Sequence, residues 1–197
     1  PPRLNSSAAS DVYKRQFDNP CYHYYSNSTF KFNFNFNFKM ADTTDTTSTA
    51  NGAELVKAWK ATFAAKDDDL MTKFWSTYDS EATSIWTMVY DEADSNENLN
   101  DTVEIVTNLM AQSGMSSMTD ECFAVVHTLE NLEIEGLWFF NGPDPEKLFS
   151  ANEETSWFSW AQLGPDATDL VKEAVAKMMV PVDGKINGKV VKNTTVF

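Results

Sequence analysis

The amino-acid sequence predicts an α+β domain, in which amphipathic helices pack against an antiparallel β-sheet. The chain has 197 residues, of which 42% are hydrophobic, with 14 Phe, 6 Trp and 6 Tyr, so it can build one sizeable core. Two apolar segments, 121–129 and 134–140, stand close together in the sequence and are typical of an antiparallel hairpin. Between and around them, apolar residues recur at helical spacing. Strands with short connections and a few amphipathic helices together indicate the α+β class.

Two helices are predicted ahead of the first strand. The first covers residues 54–66, and its apolar face is formed by Leu55, Val56, Trp59 and Phe63. The acidic run at 67–69 ends this helix and favours the start of a second one, because carboxylates in a first turn suit the helix dipole. The second helix is expected to carry Leu70, Phe74 and Trp75.

The middle of the chain predicts three strands and a helix. Residues 84–90 are rich in bulky apolar side chains and indicate a strand, and Asn100 is expected to cap a helix that ends at Gly114. Strands 121–129 and 134–140 follow as the hairpin. In the second of these, Ile134, Gly136, Trp138 and Phe140 share one face, while Leu137 and Phe139 occupy the other. Apolar residues on both faces predict a central strand that is covered from two sides.

The last part of the chain predicts a strand, a helix and a hairpin. Residues 142–145 force a turn, after which 156–162 indicate a strand. A helix is expected to begin at Pro165–Asp166 and to end before Pro181. Its core-facing stripe comprises Leu170, Val171, Ala174, Val175, Met178 and Met179. Asn187–Gly188 is a favoured two-residue hairpin turn.

The chain is expected to divide into three regions. Residues 1–39 contain a Phe–Asn repeat at 32–38 and are interpreted as a non-native leader, translated from an adapter and an untranslated sequence. Met40 is the expected start, and residues 40–52 are polar enough to predict a disordered lead-in. Residues 53–197 are the predicted globular domain.

The acidic balance of the sequence restricts the partners. The formal net charge is −14, and it reaches −17 from residue 40 onward, where 27 acidic residues face 10 basic ones. Phosphate backbones and anionic membranes attract clustered Lys and Arg, so no direct contact with nucleic acid or membrane is expected. We instead expect partners with basic surfaces. The absence of a signal peptide, a membrane span or a disulfide framework in the sequence favours a cytoplasmic protein.

Three patterns partly match chemical sites but lack the residues or the geometry that such sites need. Residues 94–105 place oxygen ligands at the first positions of a calcium-binding loop, but Leu99 and Ile105 occupy the positions that need Gly and Glu. Cys122 and His127 lie five apart on one predicted strand, so they are expected on opposite faces and cannot form a dyad. Glu133 and Glu135 share a face and are interpreted as a solvent-facing pair. We therefore expect no enzyme, no metal site and no cofactor.

Trp86, Trp138 and Trp160 are the candidate site residues. They are predicted first as core anchors and second as the wall of an aromatic cleft that could bind a small molecule. A second alternative uses Cys122 as the thiol of a redox accessory protein. These alternatives belong to the ligand-binding and redox classes, and stay open beside a role in protein interaction.

An ordered series of motifs resembles the conserved C-terminal domain of the translation elongation factor 1 gamma subunit. The series begins with Phe74-Trp75-Ser76-Thr77-Tyr78-Asp79, Ser84-Ile85-Trp86 and Tyr90. It continues with Ile134-Glu135-Gly136-Leu137-Trp138-Phe139-Phe140-Asn141-Gly142 and with Trp157-Phe158-Ser159-Trp160-Ala161-Gln162-Leu163-Gly164-Pro165. It ends with Val171-Lys172-Glu173, Gly184-Lys185 and Gly188-Lys189-Val190-Val191-Lys192. The resemblance spans about residues 68–192.

The resemblance implies a non-catalytic scaffold module in the complex that recharges the factor delivering aminoacyl-tRNA. Other elongation factor 1 subunits are the implied partners. Family members also carry a glutathione-transferase-like domain and a Lys-rich linker, which this sequence lacks. We therefore interpret it either as a stand-alone paralogue or as a fragment whose upstream portion was lost, and Met40 with the predicted lead-in favours the stand-alone interpretation. Asp91 stands where the family usually has a basic residue, and Ala161 and Gln162 replace a basic pair, which makes this surface more acidic.

Overall fold

The computed structural model of the chain describes residues 52–66 and 68–197. The predicted leader, and all of the predicted lead-in except Gly52, lie outside the described residues. Over the described part there are five α-helices: α1 (Gly52–Ala65), α2 (Leu70–Thr77), α3 (Leu99–Ala111), α4 (Glu146–Ala151) and α5 (Asp169–Met179). The strands are β1 (Thr83–Tyr90), β2 (Cys122–Leu129), β3 (Ile134–Asn141), β4 (Phe158–Leu163), β5 (Lys185–Ile186) and β6 (Lys189–Val196). Short 3₁₀ turns at Ala93–Ser95, Met115–Met118, Glu153–Trp157 and Val182–Gly184 connect them.

The strands form one antiparallel sheet in the order β4-β1-β3-β2-β6-β5. The predicted hairpin is confirmed, because β2 pairs with β3 from Cys122↔Phe140 to Thr128↔Ile134. On its other side β3 pairs with β1, which in turn pairs with β4. Five helices around this sheet confirm the α+β class.

Both faces of the sheet are covered, as expected for a central β3. On one face Trp138 and Phe140 pack with side chains from α3, α4 and β4, including Val106, Leu148 and Phe158. We call this side the Trp138 face. On the opposite face, Leu137 and Phe139 contribute to a second cluster, which also contains side chains of α1, α2 and α5. We call that side the Phe139 face. The alternation along β3 therefore supplies residues to two cores, one on each side of a single strand.

The predicted cap of α3 is wrong by two residues. The helix begins at Leu99, and Asn98, with extended backbone angles of φ −153° and ψ 163°, is its N-cap. The Asn98 side-chain oxygen accepts a hydrogen bond of 3.0 Å from the backbone N–H of Asp101. Asn100 lies inside the first turn, where its side chain cannot cap the helix.

The C-terminal helix also begins later than predicted. Thr168 caps α5 by accepting from the Val171 backbone N–H at 3.3 Å, so the helix starts at Asp169 and not at Pro165–Asp166. Leu170, expected in the core-facing stripe, is 58% exposed, because it lies in the first turn, ahead of the buried part of the helix. Val175 and Met179 further along are buried as expected.

Of two further predictions, the hairpin turn at Asn187–Gly188 is confirmed, whereas β4 starts later than the predicted residue 156. Asn187 and Gly188 adopt φ values of 50° and 84°, as the predicted two-residue hairpin requires. By contrast, β4 starts at Phe158 because Glu153–Trp157 form a 3₁₀ turn. Asn152 caps that turn through the N–H of Glu154.

Candidate functional site

The three candidate tryptophans lie together on the Trp138 face of the sheet. Trp86 on β1 is directly opposite Trp138 on β3 in the strand register. The rings of Trp138 and Trp160 meet edge to face, with their centroids 5.5 Å apart. The sheet thus brings side chains from three strands into one aromatic cluster.

Burial limits what this cluster offers to a ligand. Trp138 is fully buried and Trp86 is 7% exposed, whereas Trp160 is partly buried. The indole N–H of Trp86 donates to the Ser84 hydroxyl at 3.1 Å, and that of Trp160 donates to the Thr155 carbonyl at 3.1 Å. This geometry fits core packing. A ligand-binding aromatic cleft stays a prediction, and the outer edge of Trp160 is where it would lie.

Gly136 explains how Trp138 fits beneath its own strand. A side-chain carbon at position 136 would lie 3.2 Å from the Trp138 indole nitrogen and 2.9 Å from the Met88 methyl. A strand glycine at such a close approach makes room for a large neighbour. Gly136 therefore belongs to the same packing unit as Trp138.

Cys122 is placed poorly for redox or nucleophilic work. It is fully buried under the Trp138 face, and its thiol contacts the Met118 carbonyl with an S···O distance of 3.6 Å. Burial raises the pKa of the Cys122 thiol to about 12. Because the thiolate is the reactive form, such a thiol is a weak nucleophile at neutral pH.

His127 points to the opposite side from Cys122, as the strand alternation requires. Its Nε2–H donates to the Met178 carbonyl at 2.7 Å, since a carbonyl can only accept. The neutral ring then accepts the Thr194 hydroxyl at Nδ1, at 2.9 Å. Burial lowers the pKa of His127. The ring thus joins β2, β6 and the end of α5 and has no nitrogen left for chemistry.

Of the two carboxylates at the start of β3, Glu133 is paired with a lysine, so they are not a simple solvent-facing pair. Glu133 forms an ion pair with Lys189 on the neighbouring hairpin. Glu135 is partly buried, and burial, followed by the charge of Glu133, raises the pKa of its carboxyl. Glu133, Glu135 and Lys189 thus form a small charge network at the start of β3.

The calcium-loop segment folds into a 3₁₀ turn and the start of α3. Asn96 donates to the Leu132 carbonyl at 2.9 Å, and Asn98 donates to the Asp101 carboxylate at 2.6 Å. These polar side chains fix the loop and the cap. Within residues 52–66 and 68–197, no group of three or more His, Cys, Asp or Glu side chains is arranged to hold a metal ion.

A long acidic run lies in the sequence between Lys73 and Lys147. Residues 74–146 contain fifteen acidic side chains and no Lys or Arg. Ten of the fifteen are exposed: Glu81, Asp91, Glu92, Asp94, Glu97, Asp101, Glu104, Asp120, Glu130 and Glu146. We call residues 74–146 the acidic tract. Its field attracts basic surfaces and repels phosphates.

Two surface pockets border this tract. One, of about 550 Å³, is lined by Glu121, Glu146, Lys147 and their neighbours, and its acid Glu121 is held by Lys147 at 2.7 Å. The other, of about 360 Å³, is lined by Tyr90, Asp91, Glu92, Ser156 and Trp157. Sequence reasoning missed the second pocket because it placed Trp157 in a strand. The adjacent pair Trp157-Phe158 was the available signal. Neighbouring strand positions face opposite ways, so even the predicted strand would place the two rings on different sides of the sheet.

No helix among the described residues combines the length and apolar character needed to cross a bilayer.

Comparison with known proteins identifies the family. A family model described as elongation factor 1 gamma, conserved domain, matches residues 39–144, just over half of the chain. The match contains α1 to α3, the first three strands and two of the three candidate tryptophans, whereas Trp160 lies beyond it. No curated protein matches the chain significantly. The chain therefore belongs to the elongation factor 1 gamma family, whose conserved domain is part of the translation elongation factor 1 complex.

Proposed function

We propose that this chain is a non-catalytic interaction module, a scaffold that docks other elongation factor 1 subunits through its acidic tract. The carrying observation is the run of fifteen acidic residues without a Lys or Arg, fourteen of which lie in the part of the chain that the family model matches. A surface of one sign steers partners of the opposite sign and disfavours nucleic acid and anionic membranes. The proposed partners therefore present basic surfaces, and the proposed location is the cytoplasm.

The chemistry of the described residues supports a role without catalysis. The Cys122 thiol is buried with a raised pKa, and both nitrogens of His127 are engaged in hydrogen bonds. Catalytic groups are instead expected in a concave site with access to a reacting atom. The proposed interaction module comprises residues 53–197, preceded by the proposed lead-in and leader.

A pull-down from native lysate with the tagged full chain tests the proposal, with captured proteins identified by mass spectrometry. We expect elongation factor 1 subunits at about 0.1 M salt and their release at about 1 M, because the Debye length falls from about 10 Å to about 3 Å. Recovery of none of these subunits at low salt contradicts the proposal.

A matched pair of triple variants asks whether the acidic tract is the docking surface. Replacing Asp94, Glu97 and Glu104 by their amides removes three exposed charges inside the tract. The control makes the same change at Glu54, Asp166 and Asp183, which are exposed acids outside it. We expect the first triple variant to lose capture and the second to keep it. Equal loss in both would mean that net charge alone drives the association.

The small-molecule alternative rests on the partly buried edge of Trp160. Titration of the chain with metabolites and glutathione derivatives, followed by tryptophan fluorescence, tests it. A saturable shift that disappears in Trp160→Phe would favour this alternative. The redox alternative has weaker support, because the Cys122 thiol is buried.

A further inference from the structure

The pocket beside Trp157 combines an exposed aromatic ring with carboxylates at one end of the sheet. Tyr90 and Phe158 are paired at the end of β1 and the start of β4. The next residue, Asp91, donates its backbone N–H to the Trp157 carbonyl at 3.1 Å. Ser159 then donates its hydroxyl to the Asp91 carboxylate at 2.6 Å. These bonds hold the acidic turn and the tryptophan side by side, and we call the pocket between them the Trp157 notch.

Trp157 is unusual among the aromatic residues of the described chain. Its side chain is 51% exposed, and the other large hydrophobic residues with comparable exposure are aliphatic. A ring left in water beside a concave surface offers its π face to a ligand. Among the groups that bind such a face are the ammonium of lysine and the guanidinium of arginine.

The carboxylates of the notch provide the matching charge. Glu92 is exposed, and no hydrogen bond or ion pair to its carboxylate occurs among the described residues. The pKa of Tyr90 is raised, first by burial and second by the negative charge of Glu92. The Glu92 carboxylate therefore lies close enough to act on the notch. Asp91 and Glu92 lie within the acidic tract, which contains no Lys or Arg.

We propose that the Trp157 notch binds a lysine side chain from a Lys-rich segment of a partner protein. The aliphatic stem lies along the Trp157 ring, and the ammonium group meets Glu92 and Asp91. The notch has a volume of about 360 Å³, at the small end for ligand sites, and it is open to solvent. A pocket of this size suits a single side chain that enters from a peptide. The inference deepens the proposed function and rests on it, since it names the chemistry at one point of the docking surface.

Binding of a fluorescein-labelled oligo-lysine peptide to the full chain, measured by fluorescence anisotropy, tests this inference. An exposed cation–π contact corresponds to about a two- to five-fold change in affinity, so we expect Trp157→Ala to weaken binding by that factor. Trp157→Phe retains a ring and should recover most of the affinity. Glu92→Gln should weaken binding by a similar factor while leaving the fold unchanged, because this side chain is exposed.

Glu81→Gln is the matched control for charge. Glu81 is an exposed acid of the same tract at the far end of β1, about 23 Å of strand away. If Glu81→Gln weakens oligo-lysine binding as much as Glu92→Gln does, the attraction is diffuse and the notch is not a site. Equal binding of an oligo-lysine whose side-chain Nε amines are acetylated, and therefore uncharged, would also overturn the proposal.

Failure of this inference can be told apart from failure of the proposed function. If Trp157→Ala leaves peptide binding unchanged but the full chain still captures elongation factor 1 subunits, the notch assignment is wrong and the module assignment stands. If the notch binds the peptide as expected but no subunit is captured, the module assignment fails, and the lysine-binding chemistry remains established for the notch.

Discussion

At the scale of single residues, Trp138 and Trp157 show how one residue type takes opposite roles. Trp138 lies on the central strand with aromatic neighbours on the same face and no exposed surface. Trp157 lies at the end of a 3₁₀ turn, about half in water. The sequence predicted the first as a core anchor because its strand alternates clearly. The sequence could not identify Trp157 as exposed, because its exposure depends on the residue at which the 3₁₀ turn ends and β4 begins.

Replacing each tryptophan by alanine should separate these roles. Trp138→Ala removes a fully buried ring and is expected to lower the free energy of unfolding by about 3–5 kcal/mol. Trp157→Ala should stay within about 0.5 kcal/mol of the parent, as exposed substitutions usually do. Urea unfolding followed by far-UV circular dichroism measures both. Similar losses in the two variants would contradict the burial described above.

His127 should give the stability of the domain a dependence on pH. Its folded-state pKa is lowered from 6.5 by burial, so the unfolded state takes up the proton first. The stabilisation is complete above pH 6.5 and declines as the pH falls from there toward the lower folded-state pKa. Glu135, its partner in the strand register, has a raised pKa and contributes in the opposite sense at lower pH. Midpoints of urea unfolding at several pH values measure the slope.

The control for this prediction is His127→Gln, compared with Glu135→Gln. The histidine variant should lose the decline in stability between neutral pH and pH 6, although its overall stability falls because the contacts to Met178 and Thr194 change. The glutamate variant should keep that decline. A parent protein whose stability is flat across this interval would show that His127 titrates alike in both states.

At the scale of elements, hydrophobic periodicity predicted the positions of β3 and α1 well, whereas the predicted cap of α3 was wrong. The period-two pattern of 134–140 and the helical spacing in 54–66 are local properties, so β3 and α1 appear close to where they were predicted. Asn98 and Asn100 are the same residue type two positions apart, and only the backbone geometry selects the first as the cap. The helix α4 and the turn at Glu153–Trp157 are too short to show a period.

The cap assignment predicts a difference between two neighbouring asparagines. Asn98→Ala removes the acceptor for the Asp101 N–H and is expected to cost about 1 kcal/mol of unfolding free energy. Asn100→Ala should be near neutral, because this side chain is exposed in the first turn. Thermal unfolding of the two variants gives the comparison. A larger loss at Asn100 would restore the cap expected from the sequence.

At the scale of the whole molecule, the sheet order was beyond reach of sequence reasoning. The sequence indicated the β2–β3 hairpin because its strands are adjacent in the chain. The pairing of β1 with both β3 and β4 joins distant segments, and so does the placement of β6 beside β2. Such pairings are decided by which faces bury each other. For the same reason the Trp157 notch, built from positions 90–92 and 156–157, could not be seen in the linear sequence.

The proposed domain division predicts the behaviour of a shortened chain. All described residues, including the whole of α1, belong to one compact unit whose bounds are Ser48–Phe197. A protein of these residues alone is expected to unfold at the same temperature as the full chain and to capture the same subunits. Loss of the capture with an unchanged unfolding temperature would place part of the docking surface before residue 48.

The central position of β3 has a consequence for changes in chain length. One strand supplies Trp138 and Phe140 to the Trp138 face and Leu137 and Phe139 to the Phe139 face. An inserted or deleted residue within it would exchange the two sets and misfill both cores at once. A substitution, by contrast, disturbs one side. We therefore expect variants of this domain to gain or lose residues in the turn at 142–145, while the eight positions of β3 keep their number.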